Sequence, residues 1–139
     1  MRAHSMEFIV KASDIDEFNH VNNKVYIDYL ETARIKWYQD IGFELEKMLD
    51  QGYGDVLRNL NVSYIKEAVL GEKLKIKTFP QSIGNTSIIL KQHIYNEQDE
   101  LITEAEAVIV LVDLNKREKT PIPEEMANKV KQMIAKEVK

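Results

Sequence analysis

The sequence predicts an α+β domain in which one long helix lies along the concave face of a strongly curved antiparallel sheet. Three observations carry that prediction. Apolar residues recur with a helical period of about 3.6 between residues 23 and 41, the period falls to 2 from about residue 55, and the turn-like stretches that divide the later part are short. One helix cannot cover both faces of a sheet, whereas a curled sheet presents a single face for it to fill. The 139 residues, 44% of them hydrophobic, suffice for one core, so residues 1–139 are expected to form a single domain.

The elements follow in order. Residues 6–12, MEFIVKA, form an apolar run suited to a first strand. Residues 1–5 read as a leader added ahead of an initiator at Met6, so His4 enters no functional argument. A polar loop comes next, then the helix, with Asn22 or Asn23 as its N-cap and Gly42 as its stop. On that helix Tyr26, Tyr29, Leu30, Ala33 and Trp37 share an arc of about 100°, with Lys24, Asp28, Thr32, Lys36 and Asp40 opposite. Val25, Ile27, Ile35 and Tyr38 widen the stripe, which predicts a largely enclosed helix.

Farther along, Leu74 and Ile76 alternate with Lys73, Lys75 and Lys77, the pattern of a strand with one wet face. Turn-like stretches at 70–73, 82–87 and 95–100 divide this region into about four strands ending with 101–113, and short turns imply antiparallel neighbours. The unbroken apolar run Ala107 to Val112 suggests a central strand. Pro121 and Pro123 end the sheet, and residues 124–139 read as a closing amphipathic helix.

Composition excludes several classes of function. Nineteen Lys and Arg stand against 23 Asp and Glu, a formal charge of −4, so no overall basic field draws the chain to nucleic acid or to a membrane surface. The absence of cysteine removes disulfides, thiol nucleophiles and sulfur-ligated metals. No apolar run reaches the roughly 18 residues of a membrane span, and no signal peptide is visible, which together predict a cytoplasmic protein. Asp14, Asp16 and Glu17 invite a metal reading. The calcium-loop pattern fails, however, because Phe18, Asn19 and Val25 occupy the places of an oxygen ligand, the glycine and the closing glutamate. No metal and no bound cofactor are expected.

The densest group of polar residues, DIDEFNHVNN at 14–23, runs straight into VYIDYLETAR at 25–34. Together they resemble the hotdog-fold acyl-CoA thioesterases of the 4-hydroxybenzoyl-CoA thioesterase type, including the long-chain branch, and are similar to the plant acyl-carrier-protein thioesterases. VSYIKEAVLGEKLKI (62–76) and AEAVIVLVDLNKREKTPIP (105–123) extend the resemblance over most of the chain. It implies a hotdog fold and hydrolysis of an acyl-CoA without a cofactor, with Asp16 as general base or nucleophile and His20 at the histidine position of the plant enzymes, a position that is not a histidine in the bacterial 4-hydroxybenzoyl enzymes. It also implies edge-to-edge pairing into a homodimer or homotetramer with sites shared across the interface. The plant enzymes carry an asparagine where this chain has Phe18, so their three-residue mechanism does not transfer whole.

The chemistry of the residues is compatible. Thioester hydrolysis needs a carboxylate to attack or to activate water, and donors for the oxygen that becomes negative. The first N–H groups of a helix are such donors, and family position selects the backbone N–H of Asn23. Tyr26, near the helix start, is expected to line the acyl slot. An aspartate ahead of a helix is more often a cap than a catalyst. The surrounding motif favours chemistry for Asp16, while Asp14 and Glu31 read as structural and Lys73, Lys75 and Lys77 as a solvated face. Two other readings compete: an acyl-carrier-protein thioesterase, and a non-catalytic acyl-CoA binding module, to which Phe18 lends support.

Overall fold

The computed structural model describes residues 4–137. The element order is β1 (His4–Ile9), α1 (Asn23–Asp40), α2 (Leu45–Asp50), β2 (Tyr53–Tyr64), β3 (Lys73–Ile83), β4 (Ser87–Tyr95), β5 (Leu101–Asp113), β6 (Glu118–Lys119) and α3 (Glu124–Glu137). The strands form one antiparallel sheet in the order β1-β3-β4-β5-β2, with β6 on β5. Alternation sets its inner face: Leu74, Ile76 and Thr78 of β3 and Ile88, Leu90, Gln92 and Ile94 of β4 point inward, and Lys73 and Lys77 stay exposed.

The inner face is filled by α1, whose predicted stripe of Tyr26, Tyr29, Leu30, Ala33 and Trp37 is buried throughout. Asn22 caps it, its side chain accepting the N–H of Lys24 at 2.9 Å. Gly42, at φ +86°, turns the chain out in a left-handed conformation that residues with a Cβ rarely adopt. Met126, Val130 and Met133 of α3 close the Trp37 end of the core. That end and the Tyr29 end are separate apolar clusters. Among the buried polar side chains, Gln92 links helix to sheet. Its Oε1 accepts from Arg34 Nη1, and its Nε2 donates to the Leu30 carbonyl and to Thr78 Oγ1, each at 3.0 Å.

The arrangement is the hotdog architecture that the resemblance implies, with corrections. α1 is not largely enclosed: Ile27 is 41% and Ile35 51% exposed, because the sheet covers one face and leaves a flank open. The 70–73 turn does not join neighbours. β2 pairs with β5 instead and forms one edge of the sheet, so the 65–72 segment is a crossover rather than a hairpin loop. α2 and β6 were not anticipated. The first strand spans His4–Ile9, with His4 opposite Thr78 and its imidazole paired with Asp40. The last two residues of the predicted closing helix lie outside the described residues. No helix among those described is long and apolar enough to cross a membrane.

Candidate active site

Local hydrogen bonds fold the loop before α1 on itself. Ile15 bridges Val21, the Asp16 N–H donates to the His20 carbonyl at 3.0 Å, and the Asn19 N–H donates back to the Asp16 carbonyl at 3.1 Å. Asn19 makes the reversal at φ 64°, a conformation asparagine tolerates better than most residues. The loop is tied to the crossover by the Val21 N–H, which donates to the Ala68 carbonyl at 2.9 Å. It is tied to α1 by Asp14, whose Oδ2 accepts from the Tyr29 hydroxyl at 2.8 Å and from the Lys11 N–H at 3.0 Å. Asp14 is therefore structural, and it joins burial in pushing the Tyr29 hydroxyl well above its usual range.

This folding brings the Asp16 and His20 side chains together. Asp16 Oδ1 accepts the Phe18 N–H at 2.9 Å, and Oδ2 lies 3.5 Å from His20 Nε2. The Phe18 ring is exposed, yet its main chain helps hold the carboxylate. On the other side of the imidazole, His20 Nδ1 meets Glu67 Oε1 at 3.1 Å, an arrangement in which Nδ1 carries the proton and Nε2 is turned toward Asp16. The two carboxylates flank opposite nitrogens rather than converging. No cluster able to hold a metal exists among the described residues.

Both side chains open onto a cavity of about 480 Å³, whose wall includes Asn23, Tyr26, Tyr64 and Glu67. At this mouth of α1 the cap takes the Lys24 N–H, and the Asn22 carbonyl takes that of Val25. The Asn23 N–H has no protein partner among the described residues. Tyr26 lines the cavity, but its hydroxyl accepts the Ala68 N–H at 3.1 Å, and burial raises its pKa. Tyr64 donates its hydroxyl to the Asn23 carbonyl at 3.1 Å. All four predicted site residues, Asp16, His20, Asn23 and Tyr26, thus meet at one place. Sequence reasoning missed Tyr64 and Glu67, which the end of β2 and the crossover after it deliver from 41 and 47 residues beyond their partners.

A second, more enclosed cavity of about 340 Å³ was not anticipated. It lies at the other end of the α1–β2 seam, between Arg34, Ile35 and Tyr38 of α1 and Asp55 and Leu57 of β2, with Glu31 on its wall. Arg34 is only 7% exposed, and burial lowers its pKa against the pull of Glu31 and Asp55.

Residues 10–130 match the family described as the Thioesterase-like superfamily. Two proteins of Escherichia coli are similar in sequence. The acyl-CoA thioester hydrolase YbgC is 29% identical over 119 residues, covering 86% of this chain and 89% of that one. The long-chain acyl-CoA thioesterase FadM is 29% identical over 126 residues, covering 90% and 95%. The fold matches that of the hypothetical protein SAV2348 from Staphylococcus aureus, solved in complex with CoA, at a TM-score of 0.92 and 15% identity over 96% of this chain and 84% of the other.

Proposed function

The chain belongs to the thioesterase-like superfamily, and from that premise we propose that it hydrolyses an acyl-CoA to a free carboxylic acid and coenzyme A, with Asp16 as general base. The observation that carries this reading is the meeting of a held carboxylate, an imidazole and a free helix-terminal N–H at one cavity. Asp16 takes a proton from water as the water oxygen attacks the thioester carbonyl carbon. The oxygen that gains charge meets the Asn23 N–H at the positive end of α1. Collapse of the tetrahedral intermediate breaks the C–S bond, and the departing thiolate needs little acid assistance. His20, oriented by Glu67, keeps the carboxylate in position and contacts the substrate. Coenzyme A as the carrier is supported by the names of the E. coli relatives and by the CoA complex of the structural neighbour.

The active form is a homodimer paired through β2. That strand is a sheet edge with free backbone groups, and it carries Val56 at 49% and Leu57 at 43% exposure. The test is free-thiol release from a panel of acyl-CoAs, two-carbon to long-chain and benzoyl types, with the same acyl groups on acyl-carrier protein as a second arm. Turnover on coenzyme A thioesters that falls about 10²-fold in Asp16→Asn is expected. Tight binding by calorimetry without thiol release would make the protein a binding module instead.

A further inference from the structure

We propose that Tyr64 is a positioning residue for the hydrolysis: its hydroxyl anchors the first turn of α1 to the sheet and so aims the Asn23 N–H at the thioester oxygen. The inference rests on the thioesterase reading above, with that N–H as the oxyanion donor.

The direction of an N–H is set once the planar peptides on either side of its Cα are set. Around Asn23 both peptides are held. In the peptide that joins Asn22 to Asn23, the carbonyl accepts the Val25 N–H at 2.9 Å. In the peptide that joins Asn23 to Lys24, the N–H donates to Asn22 Oδ1 at 2.9 Å and the carbonyl accepts the Tyr64 hydroxyl at 3.1 Å. The polar end left over is the Asn23 N–H, which faces the cavity that Asp16 and His20 also line. The bonds to Val25 and from Asn22 lie within the first turn and fix it only relative to itself. The bond from Tyr64 comes from another element and fixes that turn relative to the sheet.

Tyr64 is built as a rigid anchor. It ends β2, where its backbone stands opposite Thr103 of β5. The N–H groups that follow it, of Ile65 and Lys66, donate to the Ile102 carbonyl at 2.8 and 3.1 Å. Its ring meets Tyr26 edge-on with centroids 5.4 Å apart, and the Ala68 N–H holds the Tyr26 hydroxyl in turn at 3.1 Å. Direct donation to the substrate is the rival role for Tyr64. A phenol carries one proton to donate, and here the Asn23 carbonyl takes it. Tyr64 is 46% exposed, so water partly replaces the lost bond when the hydroxyl is removed. The expected effect is therefore a loosened donor, smaller than the loss of the donor itself.

Tyr64→Phe keeps the ring against Tyr26 and deletes the hydroxyl. Its kcat and KM are measured by thiol release in the wild-type, Asn23→Ala and Asn23→Pro backgrounds, on dimers matched by circular dichroism. In the wild type and in Asn23→Ala, which retains the backbone donor, kcat should fall about fivefold with KM nearly unchanged. In Asn23→Pro no donor remains to be aimed, so the same substitution should change kcat by less than about twofold. An equal fall in Asn23→Pro overturns the proposal, because a direct donor or a general structural role acts in every background. A fall confined to KM, or no fall, overturns it as well. If Asn23→Pro itself turns over as fast as Asn23→Ala, the oxyanion donor is misassigned and its positioning by Tyr64 is overturned with it. If no acyl-CoA is hydrolysed, the activity reading falls separately, and exchange of the Lys24 amide with water decides on the anchor: exchange about threefold faster in Tyr64→Phe upholds it, and unchanged exchange overturns it.

Discussion

Replacing Asn23 by proline removes one hydrogen-bond donor and leaves its surroundings as they are. Position 23 is the first residue of α1, where a missing N–H costs the helix nothing and the fixed φ of proline suits the helical start. The preceding residue must be extended, and Asn22 already is, at φ −62° and ψ 137°. The cap from Asn22 to the Lys24 N–H and the bond from Tyr64 to the Asn23 carbonyl both survive. Stability should therefore shift by no more than about 0.5 kcal/mol. If the lost N–H is the oxyanion donor, turnover should fall by about 10²- to 10³-fold, equivalent to ~2.7–4 kcal/mol of transition-state stabilisation. Asn23→Ala controls for the side chain and should cost little. The assay is thiol release on dimers matched by circular dichroism and light scattering. A folded Asn23→Pro that turns over as fast as Asn23→Ala refutes the role of this helix terminus and moves carbonyl activation to His20 or the partner subunit.

His20→Ala should lower turnover by about tenfold, less than Asp16→Asn, with part of the loss in KM; a larger loss than that of Asp16→Asn would make His20 the principal catalyst. Glu67→Gln should cost at most about fivefold in turnover, because Glu67 is 65% exposed and solvent-screened pairs contribute only ~0.2–1 kcal/mol. Gln92→Leu leaves Arg34 Nη1 and Thr78 without their buried partner, and chemical denaturation should show a loss of about 3 kcal/mol. Burial, with Asp55 beside Tyr38 and Asp14 beside Tyr29, raises both hydroxyl pKa values. The unfolded chain therefore releases these protons near pH 10 while the folded one keeps them, so the melting temperature should fall as pH rises above about 10. Phenylalanine at either position should blunt that fall.

The sequence shows an element clearly where one face alone is buried. The stripe on α1 and the alternation in β3 were legible because each repeats several times against a continuous core. α2 has six residues and a single buried one, Met48, so no period is present to detect. β2 is exposed along most of its length, and its pairing with β5 depends on contacts about 50 residues away, which no local turn signal encodes. The site divides in the same way. Asp16, His20, Asn23 and Tyr26 lie within ten positions of one another and were read together. Glu67 becomes a neighbour of His20 only when the crossover folds under the loop. Arg34 was overlooked because a charged residue beside an apolar stripe reads as solvent-facing until Gln92 is found opposite it.

The buried link from Arg34 through Gln92 to Thr78 also bears on how the sheet finds its alignment. Alternating apolar residues enforce only the parity of strand pairing: a one-residue slip turns the sheet inside out, whereas a two-residue slip keeps every apolar side chain inward. β3 and β4 would satisfy that test in several alignments. Gln92 stands directly opposite Thr78 in the native one. Sliding β4 by two residues would set its amide against Ile76 or Pro80 and carry it away from both Thr78 and Arg34. The polar layer between the two apolar clusters thus acts as a key that tells the correct even alignment from its neighbours, which hydrophobicity cannot distinguish.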